Sequence, residues 1–223
     1  LLLLLLLLLL ILYFYYNYYY FDYYYDTTTT LETDEDNLFK SWELIVGKKI
    51  ILLPGRLTAW KGQEMFLEAL NKINIHLGND SFIAVILGND QGRDLYKKKL
   101  IRLVEQYRLT KQIRFIDHCK NMPLAYKISD IVISASIEPE AFGRVSVEAQ
   151  SMQKMIIASN LGGSNETVID GKTGVLFEAG NSDELSEKII KVMNMDPNEI
   201  SKIGNNGREN AVKKFNVEKM CFS

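Results

Sequence analysis

Two features of the sequence predict a doubly wound α/β domain built on a parallel sheet. From residue 48 onwards, short apolar runs alternate with amphipathic stretches, which is the order expected of strands and crossover helices. The apolar runs are also nearly unbroken, which is typical of strands that helices cover on both faces. These features favour one Rossmann-like domain over roughly residues 40–223.

Each apolar run is predicted to form one strand, and the six strands cover residues 48–53, 81–87, 112–116, 130–135, 154–159 and 173–178. Helices are predicted between and after the strands, over residues 63–75, 95–107, 123–128, 144–152, 164–169, 182–193 and 197–215. In the helix over residues 144–152, Val145, Ala149 and Met152 form the buried stripe. Ser182 is the predicted N-cap of the helix over residues 182–193.

The predicted strand order places a ligand crevice within the sheet. In the common order 3-2-1-4-5-6, the winding reverses between strands 1 and 4. Ligands of such sheets bind where the carboxyl ends of these two strands meet. The loops that follow the strands are therefore the segments in which to look for chemistry.

Composition limits the classes of partner. The first 36 residues hold six acids and no Lys or Arg, and the rest of the chain carries 22 acids against 26 bases. This mild basic excess suits a phosphorylated small molecule and argues against a nucleic-acid partner. With two histidines in the chain, a His-rich metal site is excluded.

The two cysteines are far apart and form no C-x-x-C motif, which argues against a disulfide framework. Both are expected to be free thiols in a reducing cytoplasm. The predicted localisation is cytoplasmic, and peripheral association with the inner face of the membrane stays open as an alternative.

Residues 1–36 are predicted to be a Leu/Tyr/Thr-rich extension outside the fold, either unstructured or non-native. A membrane anchor is the alternative, because the first sixteen residues have no formal charge. That run is shorter than the roughly 20 residues a spanning helix needs unless the following tyrosine run with Asn17 is included, and it has no basic flank.

The loop after strand 1 carries two cations, Arg56 and Lys61, and Gly55 and Gly62 allow the backbone to approach closely. Two cations at a strand end beside a helix start suit a diphosphate. The alternative is two solvated loop bases. The dinucleotide motif G-x-G-x-x-G and the P-loop motif are both absent.

The loops after strands 4 and 5 add acids and glycines. Glu140 precedes Phe142 and Gly143, where backbone N–H groups at the start of a helix would face the crevice. Glu148 flanks the buried stripe and should have a partner, either ligand hydroxyls or a nearby base. Glu138 is expected to be solvated.

After strand 5, Gly162 and Gly163 allow a tight turn, and Glu166 follows three residues later. Asp170 and Gly171 are predicted to form a turn before strand 6. A plain connecting loop remains the alternative for this segment.

These stretches together resemble one family. GRLTAWKG (55–62), E-x7-E (140–148), ASNLGGSNE (158–166) and DGKTGVLF (170–177) are similar to the C-terminal, nucleotide-sugar-binding half of retaining family-four glycosyltransferases. Those enzymes have the GT-B fold. The resemblance covers roughly residues 40–220 and implies transfer of a sugar from a nucleotide-diphosphate sugar to an unknown acceptor, a cell-envelope glycan or lipid.

The resemblance also implies a role for each matching residue. Arg56 and Lys61 would hold the diphosphate, Glu140 would accept from sugar hydroxyls, and Glu148 would bind the ribose. The catalytic residues would be Glu140, Arg56 and Lys61. The donor site would comprise Gly55, Arg56, Lys61, Glu140, Ala141, Phe142, Gly143, Arg144, Glu148, Gly162, Gly163 and Glu166. Neither a metal nor a cofactor is implied.

The sequence departs from the family pattern in three ways. The N-terminal GT-B half, which binds the acceptor, is not represented in these residues. Gln153 and Met155 stand where relatives commonly have Gly and Pro, so Gln153 is predicted in a left-handed backbone conformation. The sequence ends at Ser223, where relatives usually continue with a helix that crosses back to the other half, so a surface meant for that half is expected to be exposed and to lower solubility.

Two alternatives to an active transferase are retained. The chain could be a non-catalytic remnant, or a nucleotide-sugar-binding fragment of a split gene. An unrelated epimerase or dehydrogenase would need a dinucleotide fingerprint after strand 1, and the segment GRLTAWKG is not one.

Overall fold

A computed structural model describes residues 32–78, 81–92 and 94–215 of the chain. The helices are α1 (Glu32–Ser41), α2 (Gln63–Leu77), α3 (Asp94–Gln106), α4 (Met122–Ile128), α5 (Arg144–Ser151), α6 (Gly163–Thr167), α7 (Ser182–Met193) and α8 (Pro197–Lys214). The strands are β1 (Lys49–Pro54), β2 (Phe82–Leu87), β3 (Ile113–Ile116), β4 (Ile131–Ser134), β5 (Met155–Ser159) and β6 (Val175–Phe177). A 3₁₀ turn covers Ala59–Lys61.

The strands form one parallel sheet in the order β3-β2-β1-β4-β5-β6, so the predicted α/β class and strand order are confirmed. In the middle of the sheet, Ile51 of β1 aligns with Ala84 of β2 and with Ile131 of β4. The winding reverses between β1 and β4, as predicted. Each observed strand lies within two residues of its predicted bounds at either end.

The core lies on both faces of the sheet because successive strand side chains point to opposite sides. Ile51 and Leu53 belong to one buried cluster, which the helices α2, α3 and α7 cover. Ile50 and Leu52 belong to the other, which α1, α4 and α5 cover. Since each fully buried Ile or Leu contributes about 1.5–3 kcal/mol, this two-sided burial explains the unbroken apolar runs.

Helix α1 was not predicted from the sequence, and it crosses the expected start of the domain at residue 40. Its side chains Leu38 and Phe39 pack against the second cluster, beside the buried ring of Trp42. Glu35 also pairs with Lys127 at 2.7 Å. Four of its ten residues are acidic, and its apolar stripe is too short for periodicity to predict the helix. Residues 1–31, most of the predicted extension, lie outside the described residues.

The start of α7 corrects one prediction. The N-cap is Asn181, whose side chain accepts from the N–H of Glu184 at 3.0 Å, and not Ser182. Ser182 is the first helical residue, and its hydroxyl accepts from Lys72 at 2.8 Å. Asn and Ser cap helices about equally well, so composition alone could not choose between neighbours.

Three further findings bear on predictions from the sequence. Gln153 has φ of 56°, so its predicted left-handed conformation is confirmed. Cys119 is a free thiol, as predicted, whereas Cys221 lies outside the described residues. In the described ranges, no helix has both the length and the apolar character needed to cross a membrane.

Candidate functional site

The turn after β1 is held in place by two polar side chains, one buried and one partly buried. The Nε2 group of Gln63 donates to the carbonyl oxygen of Arg56 at 2.8 Å, and the hydroxyl of Tyr96 donates to the Gln63 Oε1 at 3.2 Å. Gln63 is fully buried, and burial raises the pKa of Tyr96, so its hydroxyl remains a donor. The Arg56 side chain is exposed, with its guanidinium carbon 6.0 Å from the Trp60 ring centroid.

The loops after β1 and β4 meet through an ion pair, as the strand order predicts. Lys61 Nζ lies 2.8 Å from Glu140 Oε1, and the two side chains are only 12% and 14% exposed. The hydroxyl of Ser136 donates to the same carboxylate oxygen. The Lys61 ammonium also lies 4.4 Å from the centroid of the Trp60 ring. The cation is therefore held at the crevice and is not the solvated loop base of the alternative reading.

Close backbone contact explains the glycine at position 62. Gly62 has φ of 72°, in the left-handed region, and a Cβ there would overlap the carbonyl oxygen of Ala135. A side chain would therefore push apart the β1 and β4 loops that the ion pair joins. Gly62 thus allows the two loops to approach closely, and any larger residue would widen the crevice.

The loop after β5 packs directly on the loop after β4. The N–H of Gly163 donates to the carbonyl of Glu140 at 2.7 Å. A Cβ at Gly163 would overlap the backbone of Phe142, and one at Gly162 would lie 2.7 Å from the Glu140 nitrogen. The segment is therefore more than a plain connection, because it supports the loop that carries Glu140.

Glu148 is buried on α5, with a relative exposure of 7%. The hydroxyl of Tyr126 donates to its Oε2 at 2.6 Å, and Arg144 Nε lies 3.3 Å from its Oε1. Within the described part of the chain, Oε1 accepts no hydrogen bond. Burial raises the pKa of Glu148, and the nearby Arg144, Tyr126 and Lys61 oppose that rise. The predicted partner of Glu148 was either ligand hydroxyls or a base, and in the structure a base and a tyrosine lie beside it.

The remaining predicted residues lie around this crevice. Glu138, Ala141, Arg144 and Glu166 are exposed, and the prediction that Glu138 is solvated is confirmed. Phe142 is partly buried, and its ring contacts Phe215 at the end of α8 edge-to-face, with centroids 5.7 Å apart. Gly55 and Gly143 belong to the same two loops.

Sequence reasoning missed Gln63, Tyr96, Tyr126 and Ser136, which support the predicted residues. Some of these side chains contact a residue that is distant in the sequence. The others stand in no periodic pattern that would indicate a role. Across residues 32–78, 81–92 and 94–215, no group of three His, Cys, Asp or Glu side chains could hold a metal ion.

Comparisons with known proteins agree on one family. The family model described as glycosyl transferases group 1 matches residues 34–210. The capsular polysaccharide biosynthesis glycosyltransferase CapM of Staphylococcus aureus is 39% identical over 79 residues, which is 35% of this chain and 20% of that protein. A D-inositol 3-phosphate glycosyltransferase of Corynebacterium diphtheriae is 26% identical over 151 residues, or 67% of this chain and 35% of its own.

Solved structures give the same result for the fold. A glycosyltransferase from Rickettsia africae superposes with a TM-score of 0.83 at 31% identity, covering 88% of this chain and 51% of that one. HepE from Anabaena, in complex with UDP and glucose, superposes with a TM-score of 0.77 at 27% identity, covering 86% of this chain and 52% of that one. The chain therefore spans about half the length of these solved relatives.

Proposed function

The chain belongs to the group 1 glycosyl transferases, and from that premise we propose that it is the donor-binding half of a sugar transferase. Its ligand is a nucleotide-diphosphate sugar, and the site is the crevice at the carboxyl ends of β1, β4 and β5. The observation that carries the proposal is the Lys61–Glu140 pair, which joins a cation and an acid from two strand ends where the winding reverses.

In this proposal the cations face the diphosphate. Arg56 and Lys61 neutralise the charge that develops on the leaving nucleotide diphosphate, an electrostatic role that requires no metal ion. Without the donor, Lys61 is held by Glu140. When the donor binds, the ammonium turns to the phosphate oxygens and Glu140 accepts from the sugar hydroxyls. The ion pair thus holds both side chains at the crevice before the donor binds, so neither has to be reoriented from a distant conformation.

The proposed donor site continues along the neighbouring loops. The backbone of Ala141, Phe142 and Gly143 lies beside the sugar, and Glu148 binds the ribose. Gly162, Gly163 and Glu166 line the far side. That HepE is seen with UDP and glucose supports a nucleotide sugar as the donor class, and it makes UDP the first probe.

Titration calorimetry of the full chain tests the donor site. We expect UDP, GDP or ADP to bind, and the double substitution Arg56→Ala plus Lys61→Ala to weaken the tightest of the three at least about 100-fold, because two charge-assisted contacts are lost. The matched control is Lys49→Ala plus Arg102→Ala. It also removes one Lys and one Arg, but from exposed positions outside the crevice. Absence of binding to the folded wild-type chain, or equal losses in both double variants, would overturn the proposal.

Transfer itself requires an acceptor, which we propose is bound by an N-terminal GT-B half that these residues do not include. Retention of configuration at the sugar follows from the same family resemblance. Incubating the chain with the donor that binds, with and without candidate acceptors, tests this division. We expect donor binding without turnover, and turnover by these residues alone would contradict it.

A further inference from the structure

We infer that Tyr126 is a positioning residue, which orients the carboxylate of Glu148 towards the ribose hydroxyls of the bound nucleotide. This inference rests on the proposed donor site. Tyr126 belongs to α4 and Glu148 to α5, and both helices cover the same face of the sheet. The tyrosine itself would not touch the ligand.

The contact between the two side chains is built into the core. Tyr126 is fully buried, so its ring cannot turn away, and its hydroxyl donates to Glu148 Oε2 at 2.6 Å. That length is typical of an O–H donor on a charged acceptor. Because α4 is anchored by the packed side chains of Leu124 and Ala125, the hydroxyl has one position to occupy.

The second carboxylate oxygen is where a ligand would be needed. Glu148 Oε1 accepts no hydrogen bond from the described residues, although the side chain is only 8% exposed. Buried carboxylates normally have all their strong acceptor positions filled. Arg144 Nε lies 3.3 Å from this oxygen as a charge partner, on a side chain that is 61% exposed. Arg144 therefore lies on the solvent side of Oε1, where a ligand would enter.

The different partners of the two Glu148 oxygens predict a preference among ligands. Tyr126 fixes Oε2, so the free acceptor position at Oε1 has a defined direction. A ribose presents two neighbouring hydroxyl donors, and a carboxylate held in one orientation can accept from both. A nucleotide that lacks these hydroxyls leaves Glu148 Oε1 without a hydrogen bond. The affinity of such a nucleotide should therefore not depend on Tyr126.

The test compares ligands in the variant Tyr126→Phe, which keeps the ring and removes only the hydroxyl. By calorimetry on the full chain, we expect about a tenfold loss of affinity for the tightest of UDP, GDP and ADP. The 2′,3′-dideoxy form of that nucleotide and inorganic pyrophosphate should bind the variant as they bind the wild type. Tyr107→Phe is the matched control, because Tyr107 is only partly buried on the opposite face and should change no affinity.

A double variant tests whether Tyr126 acts through Glu148. Glu148→Gln is isosteric with the native residue, and Tyr126→Phe added to it should cause no further loss of affinity if the tyrosine acts through Glu148. A further loss would overturn the inference, as would an equal loss for the dideoxy nucleotide in Tyr126→Phe. If the wild-type chain binds none of the three nucleotides, the proposed function fails as well. Binding that is indifferent to Tyr126→Phe removes the inference alone.

Discussion

The two ends of the sheet both carry charged side chains, but they use them differently. At the amino end, Asp130 accepts from Lys49 at 3.0 Å and from the N–H of Ile50 at 2.8 Å, so both of its oxygens are filled. Lys154 lies beside them and donates to the carbonyl of Lys127 at 2.6 Å, which completes the end of α4. The charged side chains at this end therefore form their ion pairs and hydrogen bonds with one another and with backbone groups.

At the carboxyl end, the Lys61–Glu140 pair is more buried, and Glu148 is less completely paired. Lys61 and Glu140 are 12% and 14% exposed, against 46% and 36% for Lys49 and Asp130. Glu148 keeps one oxygen without a hydrogen bond from the described residues. We propose that the charges at the amino end stabilise the fold, whereas the carboxyl end retains charge for the proposed donor at the expense of stability.

The largest expected effect comes from the backbone contacts of the carboxyl end. Gly62→Ala should lower the free energy of unfolding by about 3 kcal/mol or more, because a Cβ there overlaps the carbonyl of Ala135. Gly171→Ala is the matched control. Its φ of 68° is close to the 72° of Gly62, but a Cβ at Gly171 meets nothing within 4 Å. Denaturant unfolding of both variants separates the cost of the overlap with Ala135 from the cost of the left-handed backbone. Equal losses of unfolding free energy would show that the crevice can widen without cost.

The two lysines give the next largest difference. Lys61→Met should lower the free energy of unfolding by about 2 kcal/mol, because Glu140 is left nearly buried without its cation. Lys49→Met should cost less than about 1 kcal/mol, since that pair is exposed to water. Urea unfolding of the two variants tests this order, and a larger loss for Lys49→Met would reverse the roles of the two ends.

Glu148 should give the carboxyl end a distinctive pH dependence. Burial raises its pKa above the ordinary 4.5, so the folded state binds this proton more tightly than the unfolded chain. Its contribution is therefore complete below pH 4.5 and is lost as the pH rises through the raised pKa. Relative to Glu148→Gln, the wild type should lose up to about 1.4 kcal/mol per pH unit over that window.

The control for this pH series is Glu187→Gln, at an exposed site on α7. It should change the free energy of unfolding by less than about 0.5 kcal/mol, because the site is exposed. Denaturant midpoints from pH 4 to 8 provide the measurement. A constant difference between wild type and Glu148→Gln, or one that favours the wild type as pH rises, would contradict the burial argument.

The smallest effect is expected near the amino end. Gln153 holds φ of 56°, which costs a residue with a side chain about 1 kcal/mol. Gln153→Gly should therefore raise the free energy of unfolding by about 0.5–1 kcal/mol. Loss of the exposed hydrogen bond to Asn205 should reduce this gain. Nucleotide affinity should not change, and a change would mean that this end communicates with the site.

The parts that the sequence could predict are those with a local pattern. Apolar runs gave the six strands, and the strand order then placed Lys61 opposite Glu140, although 79 residues separate them in the chain. Helix α1 escaped prediction because its acidic sequence is held by packing and by the Glu35–Lys127 pair, which no periodicity reveals.

The supporting side chains of the site were also beyond sequence reasoning. Tyr126 resembles any aromatic residue on a buried helix face, and Gln63 resembles any polar residue at a helix start. Their roles depend on contacts across elements, with Glu148 and with the carbonyl of Arg56. A single sequence holds no signal for such pairs, and only the folded arrangement defines them.

Amide hydrogen exchange with and without a nucleotide diphosphate tests most directly whether the carboxyl end is the donor site. Adding the tightest of UDP, GDP and ADP to the full chain should slow exchange in residues 55–62, 140–148 and 162–166. Residues 48–51, 127–131 and 153–156, at the amino end, should exchange as before. Protection confined to the amino end, or spread evenly over both ends, would contradict the account.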